Sequence, residues 1–403
     1  MGEQYKLAVF RDIRYRGTRD QGLGTRKFKT IYFWGWTPLL LGSQYLIDIL
    51  QEVEINFDIS ELQELTIECN PYPYQETLES VKHIIQTYSH IPRLRFSFGI
   101  QSLDNNILQQ SNRDCTFAGI QQFTYDIMDI KQSNVLYNYD FISFGETLSA
   151  QWQMQHKRLQ ELIKSKQIDS FSLYTLELFA WAKRYHETKD PLIAYQAPWD
   201  HEVPFTTSED SILDQFEILK KLFVDWWYAR YEISNYALPG KECIHNQTYR
   251  TMGEYIGIGL GAHGFITSPS FWGKAEESHG KLVVWQWDPS LPLRPVQDDV
   301  SNYRTETTWW RKNYILWPTE KTFTKKPCSP KDIMIESFFL WLRQQSGIGG
   351  VSKYSDILQS NRQQAIDKLI ENELATYSND TLQLTDQWMN VHHQVCTYLM
   401  KEI

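Results

Sequence analysis

Lys29-Thr30-Ile31-Tyr32-Phe33-Trp34-Gly35-Trp36-Thr37-Pro38 is the stretch that decides the fold. A short β-branched and aromatic run that ends on glycine and proline reads as a strand leaving into a turn. Behind it, Tyr45–Val53 carries Leu46, Ile49 and Leu50 at the spacing of one helix face. The same unit recurs down the chain. Strand-like runs stand at Leu65–Cys69, Leu94–Ile100, Leu136–Ile142, Ser170–Leu176, Arg230–Asn235 and Ile256–Gly261. Helical periodicity returns at Leu78–Ile85 and Ile212–Phe223. Alternating β and α units imply parallel strands joined by crossover helices, and an α/β fold of the partial (β/α)6 barrel type. In such folds chemistry gathers on loops at the C-terminal ends of the strands.

This rhythm predicts a barrel domain over 1–266. Residues 267–328 are rich in Trp, Pro, Ser and charge and lack periodicity, so they read as an irregular connecting region. From 329 to 403 helical patterns resume at Lys331–Arg343, Asn361–Ile370 and Met389–Met400, with a short strand at Leu382–Thr385. The expectation is a small, mainly helical C-terminal domain.

With 40 Lys and Arg against 49 Asp and Glu, the chain carries a net charge of −9, which argues against a nucleic-acid groove. No run of 18 apolar residues occurs, so no transmembrane segment is expected. Met1–Lys6 has no apolar leader, and cytoplasm is the expected compartment. The five cysteines, Cys69, Cys115, Cys243, Cys328 and Cys396, are scattered and form no CxxC or CxxxCxxC spacing. Fifteen tryptophans are far more than ordinary usage.

Candidate binding residues stand where strands end. Gly35, Trp36 and Thr37 follow the first strand, and glycine with a hydroxyl there can present backbone groups to a ligand. Glu68 closes the second strand, Gln101 the third and Asp140 the fourth, with Arg113 one short helix after the third. Carboxylates suit ammonium or sugar hydroxyls, while Arg suits a carboxylate. His245 and His263 could each ligate a metal or haem iron, although a lone His is more often a plain hydrogen-bonded residue.

Read together, several phrases resemble one family. They are Lys29–Pro38, Glu64–Pro71 (ELTIECNP), Arg93–Asp104 (RLRFSFGIQSLD) with Asn112-Arg113, Tyr231–Asn246 (YEISNYALPGKECIHN) and Tyr255–Phe265 (YIGIGLGAHGF). Their order and spacing are similar to those of the oxygen-independent coproporphyrinogen III oxidase-like radical S-adenosylmethionine (SAM) group. Ile244–Arg250 (IHNQTYR) resembles the His-Asn-x-x-Tyr-Trp phrase of its haem-chaperone, or HemW, branch. The resemblance implies a radical SAM partial barrel with a HemN-type C-terminal domain. It further implies SAM, a 4Fe–4S cluster and haem as cofactors. Gly35, Trp36, Thr37, Glu68, Gln101, Arg113 and Asp140 would contact SAM, and His245 and His263 would lie toward haem. The implied function is a haem chaperone that passes haem to an acceptor protein. Decarboxylation of coproporphyrinogen III, or a non-catalytic homologue that keeps only the fold, are the alternatives.

The departures are as informative. The family's CxxxCxxC would precede the stretch that begins at Tyr5, and no cysteine occurs before Cys69. The expectation is therefore a chain without cluster ligands and without the first βα unit, leaving Thr30–Phe33 as an exposed sheet edge. Phe144–Thr147 shortens a longer family phrase, and Arg250 replaces an aromatic. Trp34, Trp36, Trp181, Trp341 and Trp388 stand where the family has glycines. An indole cannot replace glycine in a positive-φ turn without strain. The expectation is that these are UGA codons which mean glycine in the source.

Overall fold

Alternation within single strands sets the architecture. In β1 (Phe28–Trp34) Ile31 and Phe33 project to one face, and Thr30 and Tyr32 to the other. The pattern repeats in β2 (Glu64–Cys69), β3 (Leu94–Gln101), β4 (Val135–Ser143) and β5 (Ser170–Thr175). Parallel pairing keeps like with like. Cys69, Phe98, Tyr139 and Phe171 form one row across four strands, and Glu68, Ser97, Asn138 and Ser170 form the next.

The structure is a computed structural model. It describes residues 2–19, 27–176 apart from 36, 112, 145–149 and 166, and 209–265 apart from 251–252, 260–261 and 263. It also describes 280–285, 304–306, 324–326, 334–335, 338, 340, 342–344, 346–354, 357–358, 362–385, 395 and 398–399.

The apolar face is covered by helices. α1 (Gly2–Arg19), α2 (Ser43–Asn56), α3 (Tyr74–Thr87), α4 (Asn105–Gln110), α5 (Phe117–Asp129), α6 (Ala150–Lys164) and α7 (Glu209–Asp225) follow one another round the sheet. Val9, Ile13, Leu46, Ile49, Val81, Ile84 and Phe123 join Phe33, Phe96 and Phe98 in one buried cluster. Each such side chain contributes about 1.5–3 kcal/mol by leaving water. Asp104 caps α4 and Thr116 caps α5 through side-chain oxygens that accept backbone N–H groups.

The remaining strands are β6 (Ala229–Arg230), β7 (Asn235–Ala237), β8 (Ile256–Ile258) and β9 (Gly280–Trp285). Among the described residues the main sheet has nine strands in the order β6-β7-β5-β4-β3-β2-β1-β9-β8, with no pairing between its two ends. Two expectations need correction. Thr30–Phe33 is not an edge, because β9 pairs with β1 in parallel over Phe28–Trp34. That strand comes from within 267–328, where no regular structure is expected. Arg230–Asn235 is not one parallel strand. Glu232 accepts the Ser234 N–H at 2.9 Å and Arg230 donates to the Ile233 carbonyl, so the chain reverses and β7 runs antiparallel to β5.

The C-terminal part has its own core of Phe338, Leu342, Ile348, Ile366, Leu369 and Leu382. It holds a helix, α9 (Arg362–Glu371), after a short helix α8 (Ile244–Arg250) in the main part. Beside α9 lies a three-stranded antiparallel sheet of β12 (Ile348–Gly349), β14 (Thr381–Leu384) and β13 (Ala375–Ser378). Two further segments, β10 (Arg304–Glu306) and β11 (Thr324–Lys326), pair antiparallel. The expected short strand at Leu382–Thr385 is thus one member of a sheet.

One tryptophan stands out. The C-terminus of α7 closes with the Tyr228 N–H on the Phe223 carbonyl at 3.1 Å and the Trp227 N–H on the Val224 carbonyl at 3.0 Å. These two bonds make a Schellman cap, and Trp227 takes the left-handed position that glycine favours, with φ +73°. Its side chain is 75% exposed. Trp34 is exposed and has no positive φ, so it fits its turn. Trp36, Trp181, Trp341 and Trp388 lie outside the described residues.

Candidate functional site

The polar face of the sheet surrounds a small cavity of about 30 Å³. Its walls include Tyr32, Glu68, Arg95, Ser97, Asn138, Asp140, Ser172, Tyr174 and Asn235. Residues from six strands share it, so the sheet curls around it. A TIM-type interior is ordinarily filled with branched apolar side chains. Here it is polar, and polar groups out of water must bond to one another.

They do so in a ladder. The Asn138 amide donates to Ser97 Oγ at 2.8 Å, to Ser172 Oγ at 3.0 Å and to Asp140 Oδ1 at 2.7 Å. Ser97 Oγ donates to Asp140 Oδ2 at 3.1 Å, Ser170 Oγ to Asn138 Oδ1 at 2.7 Å, and Ser172 Oγ to Asn235 Oδ1 at 2.8 Å. Asp140 is the acceptor on which the ladder ends. Burial pushes its carboxyl above the ordinary range, opposed by the Ser172, Ser97 and Asn138 hydrogen bonds and by the Arg95 charge.

Glu68 faces the same cavity from β2. Its Oε2 accepts the Gly35 N–H at 3.1 Å and its Oε1 the Tyr32 hydroxyl at 3.2 Å. Gly35 has φ +96°, which turns its N–H toward the carboxylate and suits glycine. Burial pushes the Glu68 carboxyl up to about 8, and the Asp140 charge adds to the rise. Thr37, at φ +60°, opens the short 3-10 turn Pro38–Leu41 directly beyond.

Gln101 and Arg113 form a second group at the rim. Gln101 sits after a register shift at the end of β3, with φ +66°. Gly99 has no side chain there, and a Cβ on it would lie 2.9 Å from Gln101 Nε2 and 3.1 Å from Asn70 Oδ1. Arg113 Nη1 donates to that same Asn70 Oδ1 at 2.9 Å. Gly99 thus leaves room for the Gln101 and Asn70 amides, and Asn70 in turn holds Arg113.

His245 lies elsewhere. It is buried on α8, with Nδ1 2.8 Å from Thr30 Oγ1 and its ring 5.0 Å from that of Tyr32. His263 and Trp36 lie outside the described residues. Sequence reasoning missed Tyr32, Arg95, Ser97, Asn138, Ser172, Asn235, Asn70 and Asn246. The signal for the strand residues was the alternation within Glu64–Cys69, Leu94–Gln101 and Val135–Ser143.

The donor set fits one implied cofactor and not the other. Two carboxylates set among hydroxyls and amides suit a ligand carrying cationic and hydroxyl groups, as SAM does. An iron–sulfur cluster needs thiolates close together. Cys69, Cys115 and Cys243 are separately buried, and among the described residues no group of three His, Cys, Asp or Glu could hold a metal. Burial pushes the Cys243 thiol up to about 12.

An α/β protein with an open parallel sheet and a polar interior is the class that fold and site define. No family model matches the chain. It is 24% identical over 380 residues to the haem chaperone HemW of Lactococcus lactis, covering 93% of this chain and 85% of that protein. It is 30% identical over 250 residues to the HemW of Buchnera aphidicola from Acyrthosiphon pisum, and spans 59% of that relative's length. In structure it is similar to the Escherichia coli radical SAM enzyme coproporphyrinogen III oxidase (HemN), with a TM-score of 0.70 at 14% identity, over 99% of this chain and 83% of that one. The chain is thus similar in sequence to proteins named haem chaperone HemW, and in fold to HemN.

Proposed function

We propose that the chain is a haem-handling protein of the chaperone type that binds SAM in the polar cavity. The observation that carries the SAM half is the pairing of Glu68 and Asp140 on one cavity, with the Gly35 N–H beside Glu68. Bound SAM supplies a sulfonium with amino, carboxylate and ribose hydroxyl groups for recognition. Glu68 and Asp140 accept from its donors. Arg113, bonded to Asn70, carries a guanidinium that suits a carboxylate. Neither Glu68 nor Asp140 needs to move a proton for this task, but ligand cations favour their ionised forms.

The haem half rests on likeness to proteins named haem chaperones. Decarboxylation of coproporphyrinogen III is the lesser reading, because the similar curated proteins are named haem chaperones. A haem acceptor protein is the partner this reading calls for. Titrating the purified chain with haem and following the Soret band tests it. A saturable shift near one equivalent is expected. A spectrum equal to free haem at every ratio contradicts the chaperone reading.

A further inference from the structure

The helix that carries His245 is held by side chains from distant parts of the sequence. α8 packs against β1 and β2. Each residue from Lys241 to His245, its entry, gives a backbone polar group to one of these side chains. Glu64, fully buried at the start of β2, takes the donors. One of its oxygens accepts the His245 N–H at 3.1 Å and the Cys243 thiol at 3.2 Å, and the other accepts the Ile244 N–H at 3.1 Å. Arg95 on β3 donates to the Lys241 carbonyl at 3.3 Å, and Arg93 just ahead of β3 donates to the Glu242 carbonyl. The Tyr231 hydroxyl accepts the Cys243 N–H at 3.3 Å. Arg93 Nε also lies 3.5 Å from a Glu64 oxygen, so the two charged side chains hold each other.

The first N–H groups of a helix have no partner within it, and the helix dipole favours a carboxylate there. That carboxylate ordinarily belongs to the residue before the helix. Here it comes from a residue 181 positions away from His245. A cap from the neighbouring residue fixes the helix start alone, whereas a cap from a strand also fixes where the helix sits on the sheet. Strand register puts Glu64 beside Thr30, and Thr30 Oγ1 lies 2.8 Å from His245 Nδ1. The carboxylate thus sets the His245 backbone, and its neighbour in the sheet sets the ring. A histidine that ligates a metal ordinarily bonds its other ring nitrogen to a partner, which fixes the tautomer.

We infer that Glu64 is a positioning residue for haem binding, which with Arg93 and Arg95 places the start of α8 and so presents His245. The inference rests on the haem-handling reading proposed above. Glu64 acts through the backbone N–H groups of Ile244 and His245. Arg93 and Arg95 act through the carbonyls just before them.

The test uses the full chain with two readouts, haem titration followed at the Soret band and thermal unfolding. Glu64→Gln keeps the shape but leaves one accepting oxygen and turns an amide donor toward the α8 donors. It should weaken haem binding about tenfold and displace the Soret maximum, with Tm lowered by a few degrees. Asp169→Asn is the control. Asp169 is a buried carboxylate just before β5 that accepts the Tyr137 N–H at 2.8 Å and pairs with Lys131 at 2.7 Å. This variant should also lower Tm, yet leave haem affinity and the Soret maximum unchanged. Arg93→Lys, at a partly exposed side chain, keeps the cation but not the fork that reaches both Glu64 and the Glu242 carbonyl. It should fold and weaken haem binding about threefold. A folded Glu64→Gln with unaltered haem affinity and Soret maximum overturns the inference, because Glu64 then serves stability alone. Equal loss of haem affinity in Asp169→Asn overturns it too, since any destabilised variant would then behave alike. If Glu64→Gln does not fold, unchanged haem affinity in Arg93→Lys overturns it. A haem spectrum of the unaltered chain equal to that of free haem overturns the haem-handling reading itself, and the inference with it.

Discussion

Asp12 on α1 accepts the backbone N–H of Gly259 across 3.0 Å, fully inside the protein. Its other oxygen accepts from Arg16 Nε at 2.8 Å, and both side chains are buried. A helix at the start of the chain thereby holds the turn after β8, which opens the glycine-rich stretch leading to His263. Asp12→Ala removes the carboxylate from a buried guanidinium and from that turn. Losing one member of a buried pair costs about 3–5 kcal/mol. Urea unfolding should register a drop of that order, whereas Arg14→Ala, at an exposed guanidinium paired with Glu52, should lose about 1 kcal/mol or less.

Glu68 carries a pH signature. Its carboxyl is raised from 4.5 to about 8, so the folded protein holds this proton more tightly than the unfolded chain. Stability from this group is fully present below the ordinary carboxylate range and is lost as pH rises through about 8. The unaltered chain should lose Tm between about pH 5 and pH 8. Glu68→Gln, which keeps an uncharged acceptor at every pH, should flatten that slope, and parallel pH curves for the two proteins would show that Glu68 does not cause it.

Trp227 occupies the left-handed residue of a Schellman cap while three-quarters of its surface meets solvent. A side chain there costs about 1 kcal/mol relative to glycine, and little packing is lost by removing it. Trp227→Gly should therefore raise the unfolding free energy by about 1 kcal/mol. The same site joins the glycine expectation at Trp34, Trp36, Trp181, Trp341 and Trp388. Sequencing the gene should find UGA at codon 227; UGG there would leave the strained cap as a true tryptophan.

Much of the parallel sheet is readable in the chain, because strands buried between helices and a lined interior show as short β-branched and aromatic runs. Five of the expected strands match β1 to β5 within two residues. α1 escaped because its buried face, Tyr5, Ala8, Val9, Asp12, Ile13 and Arg16, carries an ion pair that interrupts the apolar pattern. β9 escaped because it is paired by a distant strand, and pairing partners leave no trace in local periodicity. Glu68 and Asp140 were visible as strand ends. Ser97, Asn138 and Ser172 were not, since small polar residues inside a strand read as weak strand formers until neighbouring strands place Ser97 beside Asn138 and Ser172 beside Asp140. His245 was legible as a residue of interest, but only the carboxylate of Glu64, some 180 positions away in sequence, determines which side of α8 meets the cavity.

The central claim is that the Glu68–Asp140 cavity holds SAM. Calorimetric titration of SAM into the unaltered chain and into Asp140→Asn tests it most directly, because Asn keeps the size of the side chain and its place beside Ser97 and Asn138 while removing the charge. The account predicts saturable binding near one equivalent and a loss of about tenfold or more in Asp140→Asn at an unchanged fold. No heat of binding in the unaltered chain, or equal affinity in both, would contradict it.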